Sequence, residues 1–83
     1  MRVVEVISPG TEVFLRVPGE FSAGQIAGIV IAVMLTNNGK FKYEVAWWKD
    51  GSRIETWLEH FELEVPDDVE RVSVRMNKPE RLN

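Results

Sequence analysis

The chain has 83 residues, a formal net charge of −3 and no cysteine. This length allows one domain with a small core, and 45% hydrophobic with 28% charged residues is typical of a globular fold. The absence of cysteine excludes disulfides and thiolate metal sites, and a single histidine excludes a multi-histidine zinc site. We therefore expect a domain without metal or other cofactor. A domain without cysteine also fits the cytoplasm.

The charge is distributed unevenly along the chain. Residues 1–58 are neutral overall, residues 59–70 carry six carboxylates and no Lys or Arg, and residues 71–83 have a net charge of +3. This pattern is typical of a solvated acidic loop followed by a basic tail. An acidic net charge disfavours nucleic-acid binding, which requires Lys and Arg at the phosphates. The longest apolar run, residues 29–35, is much shorter than the roughly 20 residues that cross a bilayer, so we expect a soluble protein.

Two strands are predicted in the first part of the chain. Residues 3–7 form a short β-branched segment that ends at a Pro-Gly turn. Residues 11–17 alternate, and the aliphatic side chains predicted to face the core are Val13, Leu15 and Val17. The loop that follows contains Phe21, which we expect to cover one end of the core.

Residues 26–36 predict the longest strand, although both of its faces are apolar. Such a run also fits a buried helix, but its β-branched residues and the Asn37-Asn38-Gly39 hairpin signal directly after it favour a strand. Small side chains within it suit a strongly bent barrel strand. Strict alternation gives two opposite faces, Ile29, Ile31, Val33 and Leu35 on one and Gly28, Val30, Ala32 and Met34 on the other.

Residues 41–48 contain four of the eight aromatic residues and predict the central strand. Alternation directs one set of side chains toward the core, namely Phe41, Tyr43, Val45 and Trp47. Trp48 then shares the outer face with Lys42 and Glu44. Either a bulge changes the direction of Trp48, or Trp48 lies on the surface under long side chains.

A second hairpin is predicted at Lys49-Asp50-Gly51. The strand after it, residues 52–58, alternates Arg53, Glu55 and Trp57 with Ile54, Thr56 and Leu58. One tight turn leads to a last barrel strand at residues 61–65, with Phe61, Leu63 and Val65 inward, and Pro66 ends it. Residues 67–76 fit a short helix or a strand, and β-branched residues favour the strand.

This layout of five short strands, two tight hairpins and a one-turn connection has a local pattern. The pattern is Gly28-x-Val30-x-Ala32-Val33, Tyr43-Glu44-Val45-x-Trp47-Trp48, a turn at Gly51, Trp57-Leu58 and Glu62-Leu63. It resembles the small Src-homology-3-like (SH3-like) barrels, which include Tudor and KOW-type modules. It is also similar to small proteins of unassigned function from phage and prophage-like regions of bacteria. The resemblance covers residues 12–65 and implies a binding module, although a fold does not fix a ligand.

We therefore expect an all-β domain, either a small SH3-like five-stranded barrel or a strongly bent antiparallel sheet. The predicted domain spans residues 1–76, its core spans residues 12–65, and residues 77–83 are a flexible C-terminal tail. A domain of this size rarely encloses a substrate pocket, so we do not expect catalysis. If the chain were an enzyme, the residues of its acid–base group would be Glu55, Glu59, His60 and Glu62.

Protein binding is the first functional hypothesis. A Tudor-like cage binds methylated Lys or Arg by cation–π attraction, and the residue types are present in Tyr43, Trp47, Trp48, Trp57 and Phe61. The same rings also suit the core of a small barrel. Trp48 and Trp57 share faces with charged residues, so we expect both to be partly exposed. The candidate residues for a ligand or partner are Tyr43, Trp47, Trp48, Arg53 and Trp57.

Two further hypotheses stay open. Single-stranded nucleic acid would bind around the hairpin of residues 40–57, where four basic residues accompany the aromatic ones, Lys40, Lys42, Lys49 and Arg53. Self-assembly would use the apolar alternation of residues 3–7 and 69–76, either by pairing of edges across a two-fold axis or by strand addition to a larger protein.

Overall fold

The computed structural model describes residues 2–16 and 26–76, which fold into seven β-strands and one short 3₁₀ helix. The strands are β1 (Arg2–Ile7), β2 (Glu12–Leu15), β3 (Ile26–Leu35), β4 (Phe41–Lys49), β5 (Ser52–Leu58), β6 (Leu63–Glu64) and β7 (Arg71–Met76). Five of them form one antiparallel sheet in the order β5-β4-β3-β2-β6, and β1 pairs with β7 in a separate antiparallel ribbon. The predicted all-β fold is confirmed as an open five-stranded sheet.

Both predicted hairpins are confirmed. Between β3 and β4, the N–H of Gly39 donates to the carbonyl of Thr36 (3.0 Å). Between β4 and β5, the two central residues Asp50 (φ 51°) and Gly51 (φ 80°) both have positive φ, as a type I′ turn requires. This two-residue loop sets the register of β4 and β5, which runs without a shift along their paired length.

The longest strand, β3, departs from strict alternation. Its register against β4 shifts between Val30 and Ala32, because Ile31 is an extra residue in a β-bulge. The extra residue reverses which positions face the core. The predicted faces of β3 were therefore wrong, since residues from both predicted sets share the inner face, namely Gly28, Val30, Val33 and Leu35.

Gly28 lets the side chains of β2 and β4 meet across β3. A Cβ at this position would stand 2.6 Å from Cγ1 of Val45 and 2.8 Å from Cδ1 of Leu15. Both distances are shorter than any van der Waals contact between carbon atoms, so a larger residue would push these strands apart. The packing of the inner face therefore requires glycine here.

The core lies between the inner face of the sheet and the ribbon. Its buried side chains come from both, namely Val6, Ile7, Val13, Leu15, Val30, Tyr43, Val45 and Leu63. The predicted inward positions in β2 and β4 are thereby confirmed. Only the end of β1 is buried in this core, whereas Val3 and Val72 of the ribbon stay exposed.

Tyr43 links the sheet to the ribbon. Its side chain is 2% exposed, and its phenol oxygen accepts a hydrogen bond from the backbone N–H of Ile7 (3.0 Å). The next N–H, that of Ser8, donates to the carbonyl of Glu70 beside β7 (3.1 Å). Because successive N–H groups of a strand point to opposite sides, the Ile7 N–H points away from β7 and finds its acceptor in Tyr43.

The connection from β5 to β6 forms one turn, as predicted, but its side chains differ from the prediction. The turn is a 3₁₀ helix at His60–Glu62, where the N–H of Glu59 donates to Oε1 of Glu62 (3.0 Å). Phe61 lies in this helix and is 61% exposed, so its predicted inward position was wrong. Leu63 is buried, as expected.

The C-terminal segment of the described chain is a strand rather than a helix, as its β-branched residues favoured. Three predictions concern residues outside the described ranges, namely the inward side chain of Val17, the covering role of Phe21 and the flexible tail at residues 77–83. Within residues 2–16 and 26–76, no helix has the length and apolar character needed to cross a membrane.

Removing the Tyr43 hydroxyl tests the link between sheet and ribbon. Tyr43→Phe keeps the ring but leaves the buried Ile7 N–H without an acceptor, so we expect the free energy of unfolding to fall by about 1–3 kcal/mol. Urea unfolding followed by circular dichroism measures the change. Trp57→Phe, a change in an exposed ring, is the control and should alter the free energy by less than about 0.5 kcal/mol. Equal, small effects in both variants would contradict the role given to this hydrogen bond.

The buried phenol also predicts a loss of stability at high pH. Burial raises the pKa of Tyr43 above 10.0, while the Ile7 hydrogen bond and the positive charge of Arg71 partly oppose the shift. The unfolded chain thus loses this proton at lower pH than the folded chain. The stabilising contribution is complete below the unfolded pKa of about 10 and is lost as the pH rises through the folded pKa. We expect stability above pH 10 to fall more steeply in the wild type than in Tyr43→Phe.

Ultraviolet absorbance measures this ionisation directly, because Tyr43 is the only tyrosine of the chain. The native protein should form tyrosinate at higher pH than the protein unfolded in urea. Coincident titration curves for the native and unfolded protein would contradict the predicted pKa shift.

Candidate binding surface on the outer face of the sheet

The five candidate residues lie on two opposite faces of the sheet. Tyr43 and Trp47 face inward, and Nε1 of Trp47 donates a hydrogen bond to Oγ1 of Thr56 (3.2 Å). The other three candidates face outward, namely Trp48, Arg53 and Trp57. The sheet therefore separates the rings that an aromatic cage would need around one pocket.

Trp48 lies on the surface beneath an arginine. It pairs with Arg53 across β4 and β5, and Cζ of Arg53 is 6.0 Å from the centroid of the Trp48 ring, within cation–π range. Trp48 is 50% exposed, and no bulge interrupts the register of β4 and β5 beside it. Of the two explanations left open by the sequence, the structure thus supports an exposed ring under a long side chain.

Trp57 is the second exposed ring of this face. It pairs with Glu44 and is 45% exposed, so the predicted partial exposure of both tryptophans is confirmed. Arg53, the residue opposite Trp48, stands four positions from Trp57 along β5. That separation is roughly 13 Å, so the two rings lie at separate points of the face rather than in a cross-strand pair.

Strand β3 adds two apolar side chains to the same face. It is the middle strand of the sheet, a position that the sequence had assigned to residues 41–48, which form the neighbouring strand β4. Ile29 is 37% exposed and pairs with Ala46, and Met34 is 44% exposed and pairs with Lys42. We use the name outer surface for the four large, exposed apolar residues on this face, Ile29, Met34, Trp48 and Trp57. The sequence missed its extent because the bulge in β3 could not be located from residue types.

The four basic residues suggested for nucleic acid do not form one patch. Lys42 and Lys49 lie near opposite ends of β4, and their separation of seven residues corresponds to roughly 24 Å. Lys40 lies in the β3–β4 hairpin, beyond the Lys42 end, and Arg53 lies beside Trp48 toward the other end. The structure therefore divides these charges into two separate pairs.

A groove of about 430 Å³ opens at one end of the outer surface, where the β3–β4 hairpin meets the 3₁₀ helix. Its lining includes Met34, Lys40, Phe41, Lys42, His60 and Phe61. The His60 ring centroid lies 5.9 Å from those of both Phe41 and Phe61. The sequence did not reveal this groove, because alternation placed Phe61 in the core and nothing in the sequence brought His60 next to Phe41.

The acidic residues of the described chain do not form a metal site. Within residues 2–16 and 26–76, no group of three or more His, Asp or Glu side chains is placed to hold a metal ion. Two of the carboxylates considered for acid–base chemistry have other partners. Oε2 of Glu55 is 3.0 Å from Nη2 of Arg53, and Glu62 accepts the Glu59 N–H.

The three tryptophans should differ in their access to a quencher. In variants that keep one tryptophan and carry phenylalanine at the other two positions, acrylamide should quench Trp48 and Trp57 more strongly than Trp47, which is half-buried and hydrogen-bonded. Stern–Volmer plots measure the difference, and unfolding in urea should equalise the three variants. Stronger quenching of Trp47 than of the other two would contradict the assigned faces.

Comparison with known protein families, curated proteins and solved structures found no significant match. The likeness to SH3-like barrels and to phage-type proteins therefore stays a prediction. The pairing of the strands defines the fold. The outer surface and the groove are the features that bear on function.

Proposed function

We propose that this chain is a non-enzymatic protein-interaction module that binds its partner through the outer surface. The observation that supports this proposal is the exposure of four large apolar side chains on one face of the sheet. Exposed apolar groups clustered on one face commonly mark an interaction site. Trp and Arg carry a large share of binding energy at protein interfaces, and Trp48 with Arg53 supplies both.

The charges around the outer surface favour a protein over a nucleic acid. Glu44 and Glu55 lie on the same face as Lys42 and Arg53, so this face has no continuous row of cations. A strand of phosphates would meet both signs of charge, whereas a protein surface can offer a complement to each. The net charge of −3 also disfavours the binding of a nucleic acid.

The free edge of β5 suggests how a partner docks. This strand ends the sheet order, so its second edge has no strand partner among the described residues. Lys49 and Ser52 flank the two-residue loop and form a hydrogen-bonded pair, so alternate residues of β5 direct their backbone groups away from β4. These residues are Arg53, Glu55 and Trp57. An extended partner segment can add there as a sixth strand and contact Trp57 at the same time.

The molar mass in solution tells whether the outer surface binds a second copy of this chain or a different protein. Size-exclusion chromatography with light scattering over a hundredfold range of concentration would show a dimer or larger assembly if the outer surface binds itself. In that case, Trp48→Ser combined with Trp57→Ser should restore the monomer. A strict monomer would direct the search to external protein ligands, selected from a random peptide library with the wild-type protein as bait.

A matched control makes this prediction specific. The double variant should weaken binding of the selected peptides, or of the second copy, by at least about tenfold. Val3→Ser combined with Val72→Ser removes exposed apolar groups from the ribbon and should leave binding unchanged. Equal losses in both double variants, or a monomer that selects no peptide, would contradict the proposal.

A further inference from the structure

We propose that the groove binds an acidic peptide segment, with an apolar side chain between Met34 and Phe61 and a neighbouring carboxylate at Lys40 and Lys42. The inference rests on the proposed function, since it names the chemical class of the partner. The groove is continuous with the outer surface, because Met34 and Lys42 face outward from the sheet and also line the groove.

The lining of the groove is partly apolar. Phe61 is the most exposed large hydrophobic residue of the described chain, at 61%, and Met34, which also lines the groove, is 44% exposed. The His60 ring stands between Phe41 and Phe61, at interplanar angles of 35° and 80°. An apolar side chain entering the groove would remove both exposed residues from water, which is the main source of favourable energy in such contacts.

The 3₁₀ helix holds the backbone of Phe61 in place. The N–H of Glu59 donates to Oε1 of Glu62 (3.0 Å), and the N–H of Glu62 donates to the carbonyl of Glu59 (2.9 Å). These two bonds close the turn that contains Phe61. The backbone that carries Phe61 is thus fixed before any ligand binds, which lowers the entropy cost of binding.

The lining of the groove is also cationic. Lys40 and Lys42 belong to it, and the guanidinium of Arg2 lies against Gly39 in the adjacent turn, where a Cβ on Gly39 would stand 2.8 Å from Cζ of Arg2. Glu59 is the carboxylate of the lining. The groove and the turn beside it therefore carry three cations and one carboxylate, in a protein whose net charge is −3.

The two lysines are available to a ligand. Within residues 2–16 and 26–76, the ion pairs join Arg16 to Glu64 and Arg53 to Glu55, so neither lysine is paired there. The backbone of Lys40 is also held, because its N–H donates to Oγ1 of Thr36 (3.2 Å). A carboxylate can therefore bind these lysines without first breaking an ion pair within the described part of the chain.

Size and ring orientation favour a peptide over a nucleotide. A volume of about 430 Å³ lies at the small end of the range for ligand sites, enough for one side chain and its neighbouring polar groups. Stacking of successive bases requires a row of open ring faces and a track of cations. Here Phe61 is nearly perpendicular to His60, and the remaining cations of β4 and β5 lie at the far end of the sheet.

Titration of the full chain, followed by ¹H–¹⁵N NMR, tests the proposal. The probe is the blocked peptide acetyl-Gly-Asp-Leu-Glu-Gly-amide, and two controls remove either the charge (acetyl-Gly-Asn-Leu-Gln-Gly-amide) or the apolar group (acetyl-Gly-Asp-Gly-Glu-Gly-amide). We expect the probe to shift the amides of Met34, Lys42 and Phe61. Each control peptide should bind more weakly than the probe, and added salt should lower the affinity of the probe.

Substitutions in the groove should lower the affinity for the peptides by a measurable factor. Lys40→Gln combined with Lys42→Gln should weaken binding of the acidic probe by about fivefold to tenfold, and Phe61→Ser should weaken both the acidic and the neutral leucine peptide. Lys49→Gln, on the same strand but at its far end, is the matched control and should have no effect. Correct folding of each variant is verified from its own NMR spectrum.

Several results would overturn the proposal. These are equal binding of the acidic and neutral peptides, shifts confined to residues outside the groove, and no shifts at millimolar peptide. Binding of the oligonucleotide hexathymidylate in the groove, in place of the acidic probe, would also overturn it and favour a nucleic-acid ligand instead.

The failure of this proposal can be told apart from that of the proposed function. If Trp48→Ser combined with Trp57→Ser abolishes partner binding while the acidic probe shifts nothing in the wild type, only the groove proposal fails. If the probe binds the groove while the Trp variant keeps its partners, the outer surface loses its role and the groove keeps its own.

Discussion

The hydrogen bond between the Ile7 N–H and the Tyr43 hydroxyl joins two sheets that share one core. A two-stranded ribbon is marginal by itself, and the inner face of an open sheet is apolar and must be covered. Each part therefore supplies what the other lacks, since Val6 and Ile7 cover the sheet while the sheet supports the ribbon. Within residues 2–16 and 26–76 the ribbon covers one face, and the opposite face carries the exposed apolar side chains of the outer surface.

The bulge at Ile31 determines what that opposite face contains. Ile29 and Met34 are five positions apart, so strict alternation would place them on opposite faces of the sheet. The extra residue moves them onto the same face, where both are exposed. It also keeps Val30 and Val33 together on the inner face. One inserted residue thus completes the core and extends the outer surface.

The local parts of this fold were predictable from sequence. Asn and Gly in the first turn and Asp50-Gly51 in the second favour positive φ, so both hairpins and the alternation of β4 and β5 followed. The bulge was not predictable, because a run of apolar β-branched residues has no local signal for an extra residue. Phe61 was misplaced for a similar reason, since alternation suited a strand and the capped 3₁₀ turn depends on Glu62 reaching back to Glu59.

The hydrogen bonds that hold the backbone of the candidate site are stronger than the surface ion pair that a ligand would displace. Hydrogen bonds within the 3₁₀ turn and the β3–β4 hairpin fix the backbone of Phe61 and Lys40. In contrast, Arg53 and Glu55 form an ion pair whose side chains are about half exposed, and such pairs contribute at most about 1 kcal/mol. A partner can therefore displace Glu55 from Arg53 at little cost while the backbone stays fixed. The face combines a rigid support with exchangeable surface contacts, which suits an interaction module.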